Sequence, residues 1–90
     1  MATSFNLLKN EVRCPDQTND NWVIPVVYRD GATERKEFPA IFGPDLEALF
    51  EAKVGRPMNS GKGSKEQRAD LLANWDLLER DLVLRLVHPD

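Results

Sequence analysis

The feature that most constrains the fold is an amphipathic stretch near the C-terminus, over residues 64–87. Its apolar side chains recur at helical spacing and form a broad stripe: Leu71, Leu72, Trp75, Leu77, Leu78, Leu82, Val83, Leu84 and Leu86. A stripe of this width packs on a sheet, on a second helix or on another chain. Ser64, with Gln67 three residues later, matches a capping box. The sequence therefore predicts one long helix over this stretch.

A hairpin is predicted over residues 22–42. Its first half, WVIPVVYR, alternates between two faces as a strand does, and its second half, ATERKEF, returns as a highly charged strand. Asp30 and Gly31 lie between them and tolerate positive φ, which is a strong turn signal. Pro25 donates no hydrogen bond to a neighbouring strand, so the first strand should lie at an edge or bulge there.

A second helix is predicted over residues 44–54. Pro44 suits the first turn of a helix, and Asp45 is favourable near the positive end of the helix dipole. Gly55 supplies a left-handed stop, and Pro57 prevents the helix from continuing. A flexible loop over residues 56–63 would then lead into the long helix.

The order of these elements predicts a small α+β fold. Residues 1–90 form a single domain in which two helices cover one face of an antiparallel sheet, in the order (β)-β-β-α-α. The N-terminal segment, residues 1–21, fits either a strand or a helical turn before a loop. An isolated hairpin is marginal, so we expect a third strand from this segment or from a second subunit.

Two packing contacts are expected within that fold. Trp75 lies in the middle of the helical stripe and should pack on the sheet face that carries Trp22 and Ile24. Phe38, Ile41 and Phe42 lie just before the second helix and are expected to form a hinge packed beneath it. In a chain with few large residues, such aromatic side chains are more often core than interface anchors.

The composition limits the class of protein. The chain is 41% hydrophobic and 30% charged with a net charge of −3, which is typical of a globular domain and argues against broad nucleic-acid binding. A single cysteine, Cys14, excludes an internal disulfide and suits a reducing compartment. The sequence contains neither a signal-peptide pattern nor an apolar run that could span a membrane. We therefore expect a cytoplasmic protein without membrane attachment.

One segment departs from this acidic balance. The basic residues between positions 53 and 68 are Lys53, Arg56, Lys62, Lys65 and Arg68, and Glu66 is the one acid among them. Such a cluster can contact a few phosphates, which makes weak nucleic-acid binding an alternative function. No aromatic residue is interleaved with the cluster, so stacking on bases is not expected.

Catalytic and metal-binding patterns are weak. The loop GRPMNSGKGS resembles a phosphate-binding P-loop but departs from its spacing. Five residues separate its first two glycines, and a third glycine directly follows the lysine. Cys14 and His88 are the chain's only soft ligands, too few for a zinc site. A Cys–His nucleophilic pair would require an orienting group that the sequence does not indicate. We expect neither enzymatic activity nor a cofactor.

The leading hypothesis is a non-enzymatic interaction protein, such as a small subunit, adaptor or inhibitor that docks on another protein. Short, cysteine-poor chains of this kind are common among phage and accessory-genome proteins. The partner-binding side chains are expected to be exposed ones near the hairpin and the loop: Arg29, Arg35, Lys36, Arg56, Met58 and Lys62. A homodimer through the helix at 64–87 or through the hairpin edge would leave the same sequence pattern.

Overall fold

The computed structural model describes residues 4–59 and 64–88, and it confirms a small α+β domain with antiparallel sheets. In chain order the elements are β1 (Ser4–Leu7), a 3-10 helix (Lys9–Glu11), β2 (Asn21–Val23), β3 (Val26–Asp30), β4 (Thr33–Glu37), β5 (Ala40–Phe42), α1 (Gly43–Val54), α2 (Ser64–Ala73) and α3 (Trp75–Leu86). One sheet has the order β1-β3-β4 and the other pairs β2 with β5. None of the described helices combines the length and hydropathy needed to cross a bilayer.

The predicted hairpin is present, but prolines divide each of its strands. Val26 faces Glu37 and Val23 faces Ala40, so the same register runs through both sheets. Within that register Pro25 and Pro39 lie at neighbouring levels on opposite strands. Because proline supplies no main-chain donor, the ladder is interrupted there and each predicted strand becomes two short ones.

The turn of the hairpin lies one residue later than predicted. Asp30 pairs with Thr33 at the end of the ladder, so Gly31 and Ala32 form the two-residue loop. Gly31 has a φ of 62°, whereas the described non-glycine residues all have negative φ. A glycine at the first position of a two-residue loop supplies the positive φ that a tight hairpin needs.

The N-terminal segment provides the third strand. Phe5 pairs with Tyr28, and Leu7 pairs with Val26, so β1 runs antiparallel to β3. After the 3-10 helix the segment adjoins β2, where Arg13 forms a bridge with Val23. The segment is therefore a strand interrupted by a helical turn, which combines the two alternatives that its short sequence left open.

The predicted long helix is two helices. α2 ends at Ala73 and α3 begins at Trp75, with Asn74 between them. The side-chain amide of Asn74 donates to the main-chain oxygen of Asp70 at 2.9 Å, and the main-chain N–H of Asn74 bonds to Leu71 three residues back at 3.2 Å. The asparagine side chain competes in this way with helical main-chain hydrogen bonding and breaks the helix. The apolar periodicity nevertheless continues across the break.

The helices cover the inner face of the sheets and enclose one core. The fully buried side chains include Trp22, Ile24 and Val26 from the strands and Leu46, Phe50, Leu71, Leu78 and Leu82 from the helices. Trp75 belongs to the same cluster, as expected from its place in the stripe. α1 has the predicted extent, and its stop at Gly55 is left-handed with a φ of 93°.

Candidate docking face of the hairpin

Side-chain alternation along the hairpin places one set of residues on the sheet face opposite the helices. Ile41 faces Trp22 across the strands and both are buried, so the residues on either side of Ile41 point outward. The outer set includes Arg29, Lys36, Phe38, Ala40 and Phe42, all of them exposed. We call these five residues the hairpin face.

Two phenylalanines form the apolar part of the hairpin face. Phe38 is 57% exposed and Phe42 is 49% exposed. The prediction that they form a hinge packed beneath α1 is therefore wrong. Residues 40–42 are a strand rather than a hinge, and the alternation of that strand sends Ile41 into the core and Phe42 outward, while Phe38 lies before the strand and is exposed as well.

The charged part of the hairpin face borders these rings. The Lys36 ammonium lies 5.5 Å from the centre of the Phe38 ring and forms an ion pair with Glu11 at 2.7 Å. Arg29 pairs with Glu34 directly across the ladder at 2.6 Å. The pairs are exposed, so they orient the cations and contribute little to stability. The charged side chains therefore lie toward the turn end of the hairpin face, and the two rings lie toward α1.

A shallow cavity of about 320 Å³ lies at the α1 end of this face. Phe42 lines it together with Pro15, Asp20 and Glu47. The chain is held close here, because the Gly43 N–H donates to the Asp20 main-chain oxygen at 2.9 Å. A Cβ on Gly43 would approach the same oxygen to 2.9 Å, so a side chain cannot be added at this position without a shift of the backbone.

The remaining predicted partner-binding residues lie elsewhere. Arg35 points to the opposite face of the sheet, where its guanidinium stacks over the Tyr28 ring at 4.4 Å. Arg56 forms a two-point ion pair with Asp70, at 2.9 and 2.7 Å. Met58 is only 5% exposed, so the expectation that it lies on the surface is wrong. Lys62 lies outside the described residues.

Met58 is buried because the start of the loop at 56–63 folds back onto α2. The Asp70 carboxylate accepts hydrogen bonds from the Arg56 guanidinium and from the Asn59 N–H. The hydrogen bond from Arg56 is the main cause that lowers the pKa of Asp70, and the same contact raises the pKa of Arg56. These bonds hold the loop against the helix and turn Met58 into the core.

Three members of the basic cluster make internal contacts. Lys53 pairs with Asp81 at 2.9 Å, and Arg56 is held by Asp70. Arg68 donates to the main-chain oxygens of Asn10 and Val12, at 2.7 and 2.9 Å. Lys65 is exposed. These intramolecular contacts would compete with phosphate binding by Lys53, Arg56 and Arg68.

The candidate nucleophile and base are far apart. Cys14 follows Arg13, which bridges Val23, whereas the His88 ring meets the Phe5 ring at 5.7 Å and Phe5 pairs with Tyr28. Five residues of extended strand separate the two levels, which is roughly 16 Å at about 3.3 Å per residue. Burial raises the pKa of the Cys14 thiol, and Arg68 only partly offsets this effect. Among the described residues no group of three or more potential metal ligands occurs.

Phe38 and Phe42 were not predicted as site residues, although the sequence contains a signal for their exposure. Once residues 22–42 are aligned as a hairpin, Trp22 and Ile24 on the core face require even-numbered residues of the return strand to point outward. Interpreting residues 38–42 as a hinge discarded that information. Of the predicted partner-binding residues, the structure brings Arg29 and Lys36 onto the same face as the two rings.

Comparison of the chain with protein-family models, with curated proteins and with solved structures finds no match.

Proposed function

We propose that the protein is a non-enzymatic interaction module that docks on a partner protein through the hairpin face. The observation that carries the proposal is the exposure of both Phe38 and Phe42, which lie four residues apart on the outer face of the return segment of the hairpin. Two large rings exposed together on a small domain leave apolar area that a partner can cover. Lys36, next to the Phe38 ring, supplies a charged border of the kind that surrounds the apolar centre of protein interfaces, and Arg29 lies farther along the same face.

The backbone beneath the face supports this role. The neighbouring residue Ile41 is buried opposite Trp22, so β5, which carries Phe42, is fixed to the core. A ring on a fixed strand loses little conformational freedom on binding, which favours affinity. The cavity beside Phe42 offers space for one side chain of the partner.

The separation of Cys14 and His88, and the raised pKa of the thiol, support a non-enzymatic role. A cysteine nucleophile acts as the thiolate and is activated by a base within hydrogen-bond reach. The raised pKa of Cys14 disfavours the thiolate, and the His88 ring contacts Phe5 on β1, whereas Cys14 follows Arg13, which bridges β2.

The test is affinity capture from nuclease-treated lysate of the source cell or its host, followed by binding measurements with the purified captured protein. The variants are Phe38→Ala and Phe42→Ala, and the matched control is Leu77→Ala. Leu77 is 56% exposed on α3, so the control removes a similarly exposed apolar side chain outside the hairpin face. Each phenylalanine variant should weaken binding by roughly tenfold or more, as loss of an interface anchor does.

Two outcomes would contradict the proposal. Equal binding by the wild type and both phenylalanine variants would place the interface elsewhere. Retention that appears only when nuclease is omitted, and that is lost in Lys65→Glu, would instead favour the basic cluster and a nucleic-acid partner. All variants alter exposed side chains, so unchanged circular dichroism and melting temperature should accompany every measurement.

A further inference from the structure

The first observation is an open main-chain edge on β1. The Leu8 N–H donates to the Pro25 oxygen at 2.9 Å, and hydrogen-bonded pairs alternate along an antiparallel ladder. The main-chain N–H and C=O groups of Asn6 therefore bond to β3, whereas those of Phe5 and Leu7 point away from β3. Among the described strands only β3 pairs with β1, so these groups lie at an edge of the sheet.

The second observation is that β1 lacks the features that usually prevent an edge strand from pairing with another strand. β1 has the sequence SFNL, with no charge, no proline and no bulge within the strand. Natural sheets usually protect open edges with such features, because unpaired main-chain groups attract other strands. A four-residue edge without them is suited to pair with another strand.

The third observation is an apolar groove of about 400 Å³ between β1 and α3. Phe5 and Leu7 line one wall, and Val83 and Leu84 line the other. Leu84 is 51% exposed, although it belongs to the apolar stripe of the C-terminal helices. We call this the β1 groove. Its open main-chain edge and its apolar lining lie side by side.

Charges of both signs border the β1 groove on one helix. Asp76 and Glu79 are acidic, and Arg80 is basic. A peptide of one charge sign would be attracted by one part of this rim and repelled by another. A copy related by a two-fold axis can instead present its Arg80 to the acids of the first copy, because an isologous interface meets itself.

We propose that the β1 groove binds a second copy of the same chain, with the two β1 strands paired antiparallel about Asn6. In this register Phe5 of one copy faces Leu7 of the other, and their outward N–H and C=O groups form about four main-chain hydrogen bonds. The two three-stranded sheets become one continuous sheet. Both α3 helices then lie on the same side of it and close the two grooves against each other.

This register brings the two Asn6 side chains close together. The two copies of this residue lie directly opposite each other as a non-hydrogen-bonded pair, in which side chains are closest. Asn6 is exposed in the single chain, so a charge there leaves the fold of one copy unchanged. Like charges at this site should oppose dimerisation, and opposite charges should restore it.

The experiment is sedimentation equilibrium over a wide concentration range, with the wild type, Asn6→Lys, Asn6→Glu and an equimolar mixture of the two variants. The wild type should approach twice the 10.2 kDa mass of one chain. Each variant alone should dimerise roughly five- to tenfold more weakly, and the mixture should recover dimer. Thr33→Lys adds the same charge at the other edge of the sheet and should dimerise as the wild type does.

Leu84→Glu provides a second probe that does not touch β1, and it should also weaken the dimer. A wild type that stays monomeric at every concentration would overturn the proposal. A dimer that tolerates both Asn6 variants would overturn it as well and would place the contact at another surface. Weakening by both variants without recovery in the mixture would overturn the register about Asn6.

Discussion

The two edges of the three-stranded sheet have opposite characters. β1, at one edge, contains no charged residue, and its Leu7 side chain is buried in the core. β4, at the other edge, has the sequence TERKE, and all five of its residues are exposed. The inner strand β3 thus lies between an edge that continues the core and an edge that faces water.

The difference shows that an edge strand can contribute in separate ways to one domain. β4 completes the ladder of the hairpin while its charges oppose pairing with a foreign strand. β1 contributes an apolar side chain to the core and keeps an open main-chain edge beside the β1 groove. The two edges should therefore offer different interaction surfaces. Main-chain groups are available for binding at β1, and side chains on the outer face are available near β4.

The largest contrast is expected from truncation of a side chain at each edge. Leu7→Ala removes a buried side chain beside Val26 and should lower the free energy of unfolding by about 3 kcal/mol. Arg35→Ala, on β4, removes an exposed side chain over Tyr28 and should cost about 1 kcal/mol at most. Urea denaturation at one fixed protein concentration measures both. Similar losses of unfolding free energy in the two variants would mean that the buried side chain of β1 contributes no more to stability than the exposed side chain of β4.

A smaller effect is expected where the segment after β1 is fastened to α2. Arg68→Lys keeps the charge but cannot reproduce both hydrogen bonds to the oxygens of Asn10 and Val12. The variant should lose about 2 kcal/mol of stability. Hydrogen exchange of amides 7–13 should accelerate more than exchange in β4, which has no such attachment to α2 among the contacts described. Uniform acceleration throughout the sheet would contradict a local fastening.

The loop that buries Met58 should make a pH-dependent contribution to the free energy of unfolding. The lowered pKa of Asp70 means that the unfolded chain binds this proton more readily than the folded one. Its stabilisation is therefore complete above the ordinary carboxyl pKa and is lost as the pH falls through the lowered value. Asp70→Asn should cost about 1–2 kcal/mol near neutral pH, and its difference from the wild type should shrink in acid. Thermal melts across this pH range provide the measurement.

The smallest effect is expected for the ion pair across the hairpin. Glu34→Gln breaks the contact with Arg29, where both side chains are more than half exposed. The cost should be about 0.5 kcal/mol or less, and added salt should reduce it further. Double-mutant analysis with Arg29→Gln isolates the interaction. A coupling energy as large as the cost of Asp70→Asn would show that the solvent exposure of these contacts does not predict their contribution to stability.

The fold class was accessible from the sequence because several local signals agreed. Pro44 and Gly55 bounded α1, and the turn at Gly31 with the alternation of residues 22–29 defined the hairpin. The break at Asn74 was not accessible from periodicity. It depends on a side-chain hydrogen bond to Asp70 that competes with the helix, and the apolar stripe continues regardless.

The candidate site was only partly accessible for a related reason. Arg29 and Lys36 were correctly expected to be exposed, because charged residues seldom lie in a core. The burial of Met58 follows from the contacts of Arg56 and Asn59 with Asp70, which span more than ten residues of sequence. Long-range polar contacts of this kind leave no periodic trace, so they cannot be inferred from a pattern along one chain.

The paired prolines of the hairpin also bear on fibril formation. The stretch NWVIPVVYRD has the strongest strand character in the chain, yet Pro25 divides it into strands of three and five residues. Cross-β stacking requires segments of about six or seven residues that contain no proline. Pro25 therefore denies the unfolded chain a continuous zipper segment at its most β-prone region, while the folded hairpin keeps a single register on both sides of it.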